Sequence, residues 1–326
     1  MREAMALFVG VCFALVSFPK MLHAMDFAPP TVIDHQCTDL AQIPLVRIQR
    51  VQNNIKMHYA HQSHGLQLLT GLNMIEFGNS AYADTAGART LPAVPGSLCI
   101  LDGGYVLPDQ YWSTAGGMNR TRKILLGHPS INVSVFCRCS ELNSASESYA
   151  QAYLDSMSHL EAEFPNVTFV YTTGNACATT GGEGYNRHLR NEQIRQYCAV
   201  NDKVLYDFAD LDSWWFNPNT QAWEQATYVY EGTVVPVQHP QFVSPECGLC
   251  GHSNRESCIQ KGKAVWWLLA SIERGARRAA DIHRCGAARY NHICNNHMDI
   301  GEHSLNWNGL NTHGRVLPRW YLLLSA

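Results

Sequence analysis

Short apolar runs alternate with helix-patterned segments along the middle of this chain, and that alternation restricts the fold more than any other feature. Ile131 to Cys137 reads as a buried strand. Ser146 to Phe164 places Tyr153, Leu154, Met157, Leu160 and Phe164 on one side of a predicted helix, which Pro165 ends. Val167 to Tyr171 is the next strand, closing at Thr173-Gly174-Asn175. Asn186 to Cys198 predicts a polar helix, Lys203 to Phe208 another strand, and Lys261 to Ile272 an apolar helix with Trp266 and Trp267. Strands and helices joined this closely make a parallel sheet with helices on both faces, so the expected class is α/β. Gly78 to Tyr111 is rich in Gly, Pro and Ala and reads as a long excursion over the sheet edge. After Gly275 the pattern dissolves, so the α/β domain is expected over 25–275, with an appendage or tail over 276–326.

With 326 residues, 46% of them apolar, the chain can bury one large core. Charged residues make up 16% and the formal net charge is −3, so no basic stripe points to nucleic acid. Arg2 precedes an apolar run, Ala6 to Phe18, that is short for a membrane span, and Leu22-His23-Ala24 offers a small residue at a cleavage position. A signal peptide over 1–24 is therefore expected, with a secreted or periplasmic mature protein and no stable membrane insertion after cleavage. Of twelve cysteines, eleven would remain after cleavage. In an oxidising compartment disulfides are the default expectation, with one thiol left over.

Chemistry concentrates in two places. Ile55 to Ala60 reads as a strand running into His61-Gln62-Ser63-His64-Gly65 and then a helix from Leu66. A serine at such a turn can expose its oxygen where backbone N–H groups and the helix dipole favour an anion. It can equally serve as a helix cap. Far downstream, Gly251-His252-Ser253 precedes the closing helix, so a general base could reach the same end of the sheet. A metal reading competes, because His58, His61 and His64 recur every third residue and Cys247, Cys250 and His252 form a Cys-x-x-Cys-x-His cluster. Against it, the three histidines cross a strand-to-helix turn, and Cys247 and Cys250 suit a disulfide. No metal or other cofactor is expected.

The chain resembles the SGNH (GDSL-like) hydrolases, and more narrowly a group of exported bacterial SGNH-like proteins. The matching stretches are His61 to Gly65, Phe169 to Gly174, Asn191 to Arg195, Val204 to Asp210 and Lys261 to Leu268, ordered along about residues 50 to 275. The resemblance implies a three-layer, flavodoxin-like α/β/α fold and ester hydrolysis. Ser63 would be the nucleophile and His252 the base. The aspartate that the pattern puts three residues before the histidine is Leu249 here, leaving Glu246, Asp210, Asp212 or a backbone carbonyl to orient the imidazole. The asparagine expected after the central strand is missing from Arg138-Cys139-Ser140-Glu141, so Asn175 is its substitute, and Gly103 or Gly104 would supply a loop N–H. Asn191 and Arg195, with Asp207, would bind a polar substrate such as an acetylated sugar, or form a helix-to-strand network. The expected substrate is a small-molecule or glycan ester. Without the missing aspartate and asparagine, the same fold would instead suit a non-catalytic module for glycan or cell-envelope binding.

Overall fold

A computed structural model describes residues 30–243 and 251–273, which belong to one compact unit. Seven strands form one sheet: β1 (Val32–Ile33), β2 (Lys56–His61), β3 (Asp84–Gly87), β4 (Leu98–Tyr105), β5 (Val133–Cys137), β6 (Thr168–Thr172) and β7 (Leu205–Tyr206), in the order β1-β7-β6-β5-β2-β4-β3. Every neighbouring pair is parallel. The core β4-β2-β5-β6-β7 is the doubly wound 2-1-3-4-5 arrangement, whose direction of winding reverses between β2 and β5. Crevices in such sheets open at that reversal, beyond the carboxyl ends of the strands.

Strand periodicity sorts side chains onto two faces. On one face Met57, Tyr59, Val133, Val135, Val170 and Tyr206 pack under α1 (Leu45–Asn54), α2 (Leu66–Gly78) and a helix over residues 255–273. On the other, Ala60, Phe136, Phe169, Tyr171 and Leu205 pack under α3 (Ala115–Gly127), α4 (Glu147–Glu163) and α5 (Gly181–Val200). The α/β/α layering is thus as expected. α4 shows the sequence logic plainly. The Ser146 hydroxyl accepts from the Tyr149 N–H and caps the helix, and Tyr153, Leu154, Met157 and Leu160 are wholly buried. Each such burial contributes about 1.5–3 kcal/mol.

The helix over 255–273, α7 after the short α6 (Phe208–Ser213), touches α2 backbone to backbone. A Cβ on Gly71 would lie 1.9 Å from the Cys258 carbonyl oxygen, and one on Gly262 would lie 2.5 Å from the Gly71 carbonyl carbon. Only glycine on both sides permits this crossing. Gly71→Ala is expected to cost about 1–3 kcal/mol through overpacking, read as a lowered midpoint in urea.

His58 illustrates the cost of burying a titratable ring. It lies on β2 facing α3, 1% exposed, with Nδ1 2.9 Å from the Ser134 hydroxyl and its ring stacked on Tyr111. Burial, reinforced by repulsion from Arg120 and His128, lowers its pKa from 6.5 to about 4. The unfolded chain therefore takes up a proton that the native state refuses, so stability falls as pH drops from 6.5 towards 4, on the order of 2–3 kcal/mol from this residue. The loss of melting temperature between pH 7 and pH 4.5 should be smaller in His58→Gln.

Several expectations need correction. Gly78 to Tyr111 is not an excursion, for it contributes β3 and β4, and β4 pairs directly with β2. The strand expected over Lys203 to Phe208 shrinks to Leu205–Tyr206, because the Asp207 carboxylate accepts from the Asp210 N–H and starts α6. No disulfide joins two described residues: Cys37, Cys99, Cys137, Cys139, Cys177 and Cys198 carry free thiols. Several are distributed through separate parts of the packing, Cys137 on β5, Cys99 on β4 and Cys198 on α5. Two antiparallel hairpins that the sequence reading passed over, Trp214–Asn217 with Ala222–Gln225 and Thr227–Tyr230 with Thr233–Pro236, follow α6. No described helix is long and apolar enough to cross a membrane. The expected leader, Glu246, Cys247, Leu249, Cys250 and the boundary near Gly275 lie outside the described residues.

Candidate active site

β2 and β5 flank the reversal point, and their ends are tied together. His61 pairs in register with Cys137. Just beyond, the Gln62 N–H donates to the Cys137 carbonyl at 2.9 Å, and the Gln62 side-chain oxygen accepts from the Cys139 N–H at 2.8 Å. Two residues past each paired end stand Ser63 and Cys139, which this clamp holds side by side: Ser63 Oγ is 3.2 Å from Cys139 Sγ. Gly65 lets the chain turn here, since a Cβ would lie 2.5 Å from that of His61, and its carbonyl accepts from the Tyr59 hydroxyl at 2.6 Å.

The third element arrives from 189 residues away. His252 Nε2 lies 3.0 Å from Ser63 Oγ, within reach for proton transfer. Three features hold it there. The Gly71–Gly262 crossing brings α7 against α2. Gly251 has φ +40°, and its Cα passes so close to Ser63 that a Cβ would meet the Ser63 carbonyl oxygen at 2.2 Å. The buried Gln67 amide donates to the Gly251 carbonyl at 2.5 Å. His252 itself has φ +66°, a left-handed conformation that costs a non-glycine residue of order 1 kcal/mol and persists where its surroundings dictate it.

A second imidazole completes the cluster. His64 stacks on His252 with ring centroids 4.5 Å apart, and its Nδ1 is 3.0 Å from Cys139 Sγ. Burial lowers the His64 pKa from 6.5 to about 4, against the pull of the Asp212 carboxylate, so the ring is neutral at neutral pH. One consistent proton assignment has the Ser63 O–H donating to His252 Nε2 and the Cys139 S–H donating to His64 Nδ1. Ser63 does not cap α2: the cap position is Gly65, and among the described residues the serine side chain reaches His252 and Cys139. The Ser63 and His64 N–H groups meet no acceptor among the described residues, which leaves two donors at the turn. Cys139 is the residue that sequence reasoning missed, and His64 was weighed there only as a metal ligand beside His58 and His61. The signal was the strand register, because a residue two past the end of β5 must neighbour one two past the end of β2.

Other candidates are placed elsewhere. Asp210 accepts from the His35 N–H at 2.7 Å and lies 2.6 Å from His35 Nδ1, so it orients His35 and not His252. Asp212 is 2.7 Å from Lys261 Nζ and accepts from the Ala176 N–H at 2.9 Å. Gly104, at φ +66°, donates its N–H to the Asp102 carboxylate at 2.8 Å and is not a spare oxyanion donor. Asn175 is buried, its oxygen accepting from the Cys177 N–H while its amide nitrogen has no partner among the described residues. Asn191 accepts from the Gly174 N–H at 2.8 Å, and Arg195 grips both Asp207 carboxylate oxygens at 2.6 and 2.7 Å. These two form the helix-to-strand network, and the small cavity that they line includes none of Ser63, His64, Cys139 and His252. The histidine trio does not converge either: strand alternation sends His58 to the α3 face and His61 to the α2 face, where it stacks on Tyr59 and faces Asp102 at 3.3 Å.

One large cavity, about 970 Å³, is bounded by Gln36 to Gln42, the first hairpin and the Arg255 to Lys263 face of α7. None of Ser63, His64, Cys139 and His252 lines it. Geometry and not cavity volume therefore singles out the serine site, since it holds a hydroxyl in contact with an imidazole, beside N–H groups that meet no acceptor among the described residues, at the reversal point of the sheet. No family model matches the chain, and no curated protein matches it.

Proposed function

We propose that this protein is an exported serine esterase of SGNH-like type, acting on an ester or acetyl group, of a carbohydrate or of another small molecule. The observation that carries this reading is the 3.0 Å contact between Ser63 Oγ and His252 Nε2, made across 189 residues at the carboxyl end of the sheet. His252 takes the Ser63 proton as the oxygen attacks the ester carbonyl. The N–H groups of Ser63 and His64, at the turn into α2, receive the oxyanion, and the helix dipole adds to their pull. The protonated imidazole then gives its proton to the departing alcohol. Water, activated by the same nitrogen, releases the acyl group.

A second reading, a non-catalytic glycan or cell-envelope binding module, draws support from Gly104, whose N–H is already engaged by Asp102. A fluorophosphonate serine-hydrolase probe separates the two. The esterase reading requires a covalent adduct that peptide mapping places on Ser63. A folded protein that stays unlabelled at high probe concentration favours the binding module.

A further inference from the structure

His64, Cys139 and His252 bring three metal-binding atoms together at one end of the sheet. Each offers one ligand atom, and these atoms all lie within 4.8 Å of one another. The three residues come from three separate places, the turn after β2, the turn after β5 and the loop before α7. Neither the His58–His61–His64 run nor the Cys247–Cys250–His252 cluster contains this set. A tetrahedral zinc ion, with Zn–N of about 2.1 Å and Zn–S of about 2.3 Å, spaces its ligands about 3.5 Å apart. The 3.0 Å separation of His64 Nδ1 and Cys139 Sγ needs to open only slightly to accept one. His252 is exposed, so the ion would have an entry path and a fourth position open to water.

We propose that His64, Cys139 and His252 form a binding site for a soft or borderline divalent cation, zinc being the representative. Imidazole and thiolate together select such ions over magnesium or calcium. On binding, the Cys139 S–H bond breaks, the sulfur keeps the electron pair and bonds the ion, and the proton leaves to solvent. The ion takes the imidazole of His252 away from Ser63. Zinc is therefore an inhibitor of the serine chemistry, a consequence that rests on the esterase reading, whereas the site itself does not.

The test uses the full chain, reduced and stripped with a chelator, and follows alkylation of Cys139 by iodoacetamide through peptide mass spectrometry. One equivalent of zinc is expected to slow modification of Cys139 at least tenfold. Protection should persist in the Cys247→Ser/Cys250→Ser variant and be lost in His64→Ala. Unchanged alkylation in a folded protein that reacts without zinc overturns the proposal, as does protection undiminished in both His64→Ala and His252→Ala. Cobalt(II) provides a readout independent of thiol reactivity. A thiolate-to-cobalt charge-transfer band is expected, lost in Cys139→Ala, and a band unaltered in that variant also overturns the site. Zinc protection of Cys139 without any fluorophosphonate labelling would count against the esterase reading and leave the metal site standing.

Discussion

Replacing Ser63 by alanine is expected to lower kcat/KM for an aryl acetate by about 10⁴–10⁶-fold, and His252→Ala to do nearly the same. Members of a nucleophile–base pair act as one unit, so removing either forfeits most of what both supply. The double variant should accordingly lose little beyond either single one. Far-UV circular dichroism should show both single variants folded, because Ser63 is only half-buried and His252 is exposed. Hydrolysis unchanged in Ser63→Ala would remove Ser63 as nucleophile, whatever the protein's activity. Gly251 matters to the same result, since its bare Cα is what allows the loop to place His252 on the serine.

The second large effect concerns stability. Lys261 of α7 is completely buried, with its ammonium 2.7 Å from the Asp212 carboxylate, hydrogen-bonded to the Ser257 hydroxyl and 4.9 Å from the Phe208 ring centre. Lys261→Met leaves Asp212 as a buried carboxylate without its cation. Breaking one side of such a pair costs about 3–5 kcal/mol. For a domain of this size the melting temperature should fall by about 10 °C. Because Lys261 anchors the helix that follows His252, labelling of Ser63 should disappear at a lower temperature too. Lys261→Met combined with Asp212→Leu should recover part of the loss, since the uncompensated charge is then gone, although the Ala176 N–H loses its acceptor. A melting temperature unchanged in Lys261→Met would show that the pair contributes nothing to holding α7.

Much of this architecture was legible beforehand. Ile131 to Cys137, Ser146 to Phe164 and Val167 to Tyr171 each carry a pattern that one secondary structure alone can bury, and all three form the expected elements. β4 was not legible, because Leu98-Cys99-Ile100-Leu101 is too short an apolar run to stand out between a proline-rich stretch and Asp102-Gly103-Gly104. It is made a strand by its neighbour, β2. The strand expected over Lys203 to Phe208 was drawn too long for the opposite reason, since only Leu205–Tyr206 form it. The apolar alternation is real, but an Asp207 cap ends the strand and begins a helix.

By itself the sequence determined a parallel α/β core, a serine at a strand-to-helix turn and a histidine before the closing helix, because periodicity and turn chemistry are local properties of the chain. Only the tertiary structure decided what stands around Ser63. It put Cys139 and His252 beside the serine, stacked His64 on His252, gave Asp210 to His35, and committed Asn191 and Arg195 to the scaffold. Those outcomes depend on which strands are neighbours, on their register and on the glycine contact between α2 and α7. Such distances link residues up to 189 positions apart, and no local pattern encodes them.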